Sequence, residues 1–126
     1  MAKAKKERVK IPQEVAEKVI ALDCREESNI RRLEKFLMKL PFVKDEEDLE
    51  TDNLEILIKK IELKYMVHLA YIMRSVVDGE DMYSGMIKTD VETKGDWVKT
   101  VYGQTFWETL AKTLFYMYYH IEGRKK

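Results

Sequence analysis

The run from Thr105 to Ile121, TFWETLAKTLFYMYYHI, constrains the fold of this chain more than any other segment. It reads as one helix carrying Phe106, Trp107, Phe115, Tyr116, Tyr118 and Tyr119. Apolar and aromatic side chains occupy most of its circumference instead of one stripe. Such a helix needs neighbours on several sides, and a chain of 126 residues is expected to supply only some of them. The expectation is therefore a protein that lives in an assembly and associates with itself. One side of the helix closes the fold, and Trp107, Phe115, Tyr118 and Tyr119 form a protein interface.

Length and composition narrow the choices. The chain has room for one hydrophobic core and one domain. Five glycines and two prolines favour long helices over a turn-rich sandwich. The single Cys24 excludes an internal disulfide and suits a reducing, cytoplasmic setting. No apolar run reaches membrane-spanning length, and no apolar segment follows the basic N-terminus as it would in a secretory signal. Net charge is zero, so overall basicity is no argument for a nucleic-acid partner, yet the charge is segregated. Residues 1–10 hold Lys3, Lys5, Lys6, Arg8 and Lys10 against Glu7, whereas residues 45–55 hold seven carboxylates and no cation. Such blocks usually form solvated tails and loops, and an acidic block can also face a basic partner.

Residues 1–11 are expected to form a basic, flexible arm, and 12–126 a single helical-bundle domain. Pro12 suits a helix start, followed by Val15, Val19, Ile20 and Leu22 at helical spacing. Ser28 offers an N-cap for a second helix carrying Ile30, Leu33, Phe36, Leu37 and Leu40, which Pro41 ends. Asp52 and Glu55 read as a capping box for the longest helix, from Asn53 to about Asp78, with Gly79 as its stop. Residues 80–103 are rich in strand formers and fit either a small hairpin or an irregular loop with a short helix. Thr105 and Glu108 form a second capping box, and Gly123 closes the aromatic helix. The fold expected is mainly all-α, a small bundle of four to five helices with a possible short β-hairpin within 86–102.

No motif here carries catalysis. His68 and His120 have no metal-ligating companion at helical spacing, and one cysteine cannot build a zinc site. No glycine loop cradles a phosphate. The expectation is a non-enzyme with no metal and no cofactor. Binding has better support. On the long helix Lys60, Lys64, His68, Tyr71 and Arg74 follow at three or four residues and line one ridge. Arg31, Arg32, Lys35 and Lys39 make a similar ridge on the second helix. Cations interleaved with a stacking tyrosine are what a sequence-tolerant nucleic-acid groove needs. Candidate contacts are Arg31, Arg32, Lys35, Lys60, Lys64 and Arg74. The methionines at 66, 73, 82, 86 and 117 suit a flexible interface, although core packing is the simpler role for those on helices.

The segment Ser28, Ile30, Arg31, Arg32, Leu33 resembles the Ser-x-Ile-Arg-(Lys/Arg)-Leu helix of the small α-helical subunit of type III-A CRISPR effector complexes. Glu14 to Ile20 is similar to that family's opening helix, and Leu63-Lys64-Tyr65 to its Leu-Lys-aromatic element. Glu108-Thr109-Leu110 with Phe115 to Tyr119 matches its closing helix. The family's Ala-Gly-Arg element would fall near Leu69-Ala70-Tyr71, where glycine and arginine are missing. The resemblance implies a non-catalytic subunit of an antiviral ribonucleoprotein, stacked in copies beside backbone subunits and contacting RNA. Arg31 and Lys64 are the positions that match family cations.

Two other readings compete. A ribbon-helix-helix regulator would use residues 8–40, with Arg8 and Lys10 on a β-ribbon reading duplex DNA. A helical interaction protein of phage or plasmid type would dimerise through the aromatic helix and bind a protein partner through the acidic loop.

Overall fold

A computed structural model describes residues 11–65, 67–89 and 97–124. Its elements run α1 (Gln13–Ile20), α2 (Glu27–Met38), a 3-10 turn (Glu46–Leu49), α3 (Thr51–Tyr65), β1 (Val67–Val77), β2 (Glu80–Thr89), β3 (Trp97–Gly103) and α4 (Phe106–Arg124). The fold is mixed: four α-helices and an antiparallel sheet of strand order β1-β2-β3 among the described residues. This corrects the mainly all-α bundle. The sheet also reaches far beyond a short hairpin within 86–102, because it begins at Val67.

Where the sequence suggested one helix from Asn53 to Asp78, α3 stops at Tyr65 and β1 follows. The physical reason is a register irregularity between Leu69 and Tyr71. A bulge inserts one extra residue and shifts which positions share a face. Leu69 pairs with Ile87, and after the irregularity Ile72 pairs with Gly85. The side of β1 shared with Leu69 thus runs Leu69, Ile72, Arg74, Val76, and its apolar members alone fall at a spacing of three and four that imitates a helix. The turn supplies the other half of the explanation. Asp78 and Gly79 both have positive φ, 52° and 79°, and close a two-residue loop between Val77 and Glu80. An Asp-Gly pair is a preferred sequence for such a loop, because left-handed backbone there matches the twist of the strands.

Helix α4 is the axis of the molecule. It packs against α1, α2, α3 and all three strands, and every residue from Glu108 to Tyr118 is buried. The chain therefore supplies its own neighbours to the crowded middle of the helix. Its start is as expected: the Glu108 amide donates to Thr105 Oγ1 at 3.1 Å. The Glu108 carboxylate reaches back to the Gln104 amide, also at 3.1 Å, one residue before the usual capping-box partner. The sheet approaches α4 through Gly85 and Gly103. A Cβ at Gly103 would stand 2.6 Å from Thr109 Oγ1 and 2.9 Å from its backbone nitrogen.

The remaining helices cover the other sides of α4. α1 buries Ala16 and Val19, and α2 buries Leu33 and Leu37. α2 starts at Glu27, one residue before the expected Ser28 cap. The acidic segment is ordered by its own side chains: Asp45 accepts from the Glu47 amide at 3.0 Å and Asp48 from the Lys44 amide at 2.8 Å.

Candidate nucleic-acid interface

The second helix keeps its apolar residues on one side, so its cations are forced to the other. At about 100° per residue, Leu33, Leu37 and Leu40 fall together and are fully buried. Arg31, Lys35 and Lys39 succeed one another on the opposite side, about 6 Å apart along the axis, and all are exposed. Arg32, also exposed, widens the row on one flank, while Glu27 and Glu34 lie on the other. Arg31, Arg32 and Lys35 make no ion pair with another described residue. The Lys39 ammonium sits 5.1 Å from the centre of the Phe36 ring, which holds its stem along the helix.

Four other cations are neutralised by carboxylates of the chain, whereas Lys60 and Lys64, like the α2 row, have no ion pair among the described residues. Arg25 meets Asp23 at 2.7 Å, Arg74 meets Asp81 at 2.9 Å, and Lys99 meets Glu17 at 3.0 Å. Lys112 meets Glu108 at 2.6 Å inside the core. The Arg25 hydrogen bonds hold the Asp23 carboxyl down at about 2. The Asp81 carboxylate likewise raises the Arg74 guanidinium above its ordinary value.

The candidate cations therefore separate into three places. Arg31, Arg32 and Lys35 stand together on α2. Lys60 and Lys64 are exposed on α3, with the Lys64 ammonium 5.3 Å from the centre of the Tyr65 ring. Arg74 lies on β1, paired with Asp81. The ridge proposed from Lys60 through His68 and Tyr71 to Arg74 is not formed, because the helix that would align it ends at Tyr65. His68 instead places Nδ1 3.8 Å from Glu62 Oε2, which also accepts the Leu69 amide at 3.1 Å.

The expected aromatic interface is likewise relocated. Phe115 and Tyr118, 2% and 4% accessible, belong to the chain's own core. Phe115 packs edge-on against Phe36 with ring centres 5.9 Å apart, and Tyr118 against Phe42 at 5.5 Å. Trp107 is half-buried, and its indole N–H donates to the Leu49 carbonyl at 2.6 Å. Tyr119 is half-buried against Tyr116. These residues join elements of one chain, so the correction concerns their partners and not their packing. Met117 is fully buried, whereas Met73 is 48% exposed on a strand.

Three other features complete the chemistry. A shallow groove of about 440 Å³ gathers Glu34, Glu46 and Glu50 around Trp107. Burial, with the Glu108 charge nearby, pushes the Cys24 thiol up to about 11, which keeps it protonated and unreactive at neutral pH. Among the described residues no group of three or more His, Cys, Asp or Glu is placed to hold a metal ion. No described helix is long and apolar enough to cross a membrane. Arg8 and Lys10, the β-ribbon of the DNA-binding reading, lie outside the described residues with the rest of 1–10.

Sequence reasoning missed the interior polar cluster. Lys112 donates to the Leu22 carbonyl at 2.6 Å and the Tyr102 carbonyl at 3.3 Å besides Glu108. Its signal was present as a Glu-Lys pair four residues apart within an otherwise apolar helix. Comparison of the chain with protein-family models, with curated proteins and with solved structures gave no match.

Proposed function

We propose that this protein is a non-catalytic accessory subunit, cytoplasmic, that lies against the phosphate backbone of RNA through the exposed side of α2. The observation that carries the reading is the clustering of cations on one side of α2. Arg31, Arg32 and Lys35 stand exposed together there, and no carboxylate among the described residues pairs with them. Cations held in a row and left unpaired exchange released counterions for phosphate contacts, which is the sequence-independent part of nucleic-acid binding. The resemblance to the CRISPR small subunit supports the same helix, since Arg31 is one of its two matching cations. That support is local, because the family's all-helical fold is not the fold of this chain.

The test is fluorescence anisotropy with a generic single-stranded RNA as salt is raised. Four phosphate contacts on a single strand give a log–log slope of about −3. Arg31→Glu with Lys35→Glu should lower the slope by about 1 for each cation lost while leaving the circular dichroism spectrum unchanged. Absence of binding at low salt, or an unchanged slope in the double variant, overturns the assignment.

A further inference from the structure

The sheet has one face that no described element covers. Residues paired across antiparallel strands share a face, and a Cβ at Gly85 would point at Thr109 and Thr113 of α4. Ile72, Gly85 and Val101 therefore face inward, and the next row, Met73, Ser84 and Tyr102, faces away from α4. Continuing in both directions, the outward positions include Ser75 with Met82 and Met86 with Thr100. Met73, Val77 and Tyr102 are 48%, 45% and 55% exposed. In a chain of which 37% is charged, these outward positions carry no charge until Glu80 at one end of β2 and Lys88 at the other. An antiparallel sheet with one solvated face ordinarily alternates apolar with polar residues. This one presents methionine, serine, threonine, valine and tyrosine.

We propose that this outward face is the self-association surface of the protein, its occupant being the same face of a second copy. Two features select a copy of itself over another partner. First, apposing the face to itself buries no like charges, which penalise wrong pairings. Second, its end charges are self-complementary. A two-fold axis crossing the strands at Ser84 relates position 82 to 86 and position 80 to 88. It sets the Met82 side chain of one copy beside Met86 of the other, and Glu80 of one toward Lys88 of the other. Glu80 is 61% exposed even with Arg25 at 3.5 Å and Gln104 donating at 3.2 Å, both to Oε2, so its other oxygen is open to a facing cation. Methionine adapts to irregular gaps and suits a contact between two twisted sheets. Three strands about 4.8 Å apart and seven residues at about 3.4 Å give a face of roughly 14 by 24 Å. That is roughly 340 Å² per copy and roughly 700 Å² between two copies, below the about 1,000 Å² of a lasting specific interface. The dimer is therefore one that forms and dissociates with concentration.

Sedimentation velocity on the full chain from about 1 µM to about 500 µM tests this, a range that spans the affinities of small interfaces. The mass should rise from 15.0 kDa toward twice that value. Ser84→Arg places like charges together on the axis and should weaken association about a hundredfold or more, with circular dichroism unchanged. Glu80→Lys should weaken it as well, and Glu80→Lys combined with Lys88→Glu should restore it. A monomer at every concentration overturns the proposal. So does a dimer indifferent to Ser84→Arg, which places the contact elsewhere, for example around the exposed Leu63. Met73→Lys serves as the second variant should Ser84→Arg fail to fold. RNA binding through α2 is read by a different experiment and stands or falls separately.

Discussion

The inner face of the sheet meets α4 through two glycines and a set of fixed polar groups, whereas the outer face meets no element among the described residues. On the inside, charge is present and fully matched. The Lys112 ammonium uses its three protons on Leu22, Tyr102 and Glu108, and the other Glu108 oxygen accepts the Gln104 amide. Removing such a pair from water costs several kcal/mol per ion unless every donor and acceptor is answered. The saturated network ties the end of α1, the end of β3 and the first turns of α4 into one unit. On the outside there is almost no charge to match, and no described element packs over the side chains. The contrast separates two demands on one sheet: the inner face specifies the fold, and the outer face is free to specify a contact.

The strongest way to break this comparison is to unbalance the interior. Lys112→Met leaves the Glu108 carboxylate buried without its counterion and should cost about 3–5 kcal/mol, read from urea unfolding. Adding Glu108→Leu removes the orphan charge and should recover much of that loss. Recovery distinguishes a penalty for unmatched charge from a simple packing defect; a double variant as unstable as the single one refutes the balanced-pair account. Next in size is Gly103→Ala. The added methyl group would stand 2.9 Å from the Thr109 backbone nitrogen, which cannot rotate away. The expected loss is about 1–3 kcal/mol, and an unchanged unfolding midpoint would show that α4 has room to retreat.

Those same elements show how much was legible beforehand. The capping residue Thr105 and the buried aromatic body of α4 could be read from residue types, because cap chemistry and burial are local or compositional. The end of α3 could not be read by periodicity. The irregularity near Ala70, with the polar Arg74 between Ile72 and Val76, gave the apolar residues of β1 the three-and-four spacing of a helix, and the methionines and leucines beside it are good helix formers. Asp78-Gly79 was the decisive signal, taken for a helix stop when it is a hairpin turn. Of the candidate site, the α2 row was legible because one amphipathic helix fixes it. The row through Lys60 and Arg74 depended on where α3 ended and dissolved with that boundary. The aromatic interface failed for another reason. A segment apolar all round shows that it needs neighbours but not whether they belong to its own chain.

A smaller effect of opposite sign probes the inner face further. Thr113 Oγ1 is buried without a hydrogen-bond partner among the described residues, close to where Gly85 lacks a Cβ. Thr113→Val keeps the shape and removes an unsatisfied hydroxyl, so it should stabilise the chain by about 1 kcal/mol. A loss of that size instead would mean that the hydroxyl is answered by a group that valine cannot replace.

The smallest expected effect lies on the outer face. Thr100→Ser and Met82→Thr each alter a side chain that points away from α4, where no described element packs. At dilutions that keep the protein monomeric, each should change stability by no more than about 0.5 kcal/mol. The near-neutral result is informative because the same strands carry Gly85, Ile87, Val101 and Gly103 on their other side, all buried. Backbone, register and strand propensity are thus held nearly constant, and only the side of the sheet differs. Losses matching those of the inner face would mean that the exposed side chains stabilise the monomer through the sheet itself. The outer face would then be part of the fold's own requirements, and its lack of charge would no longer point to a second copy.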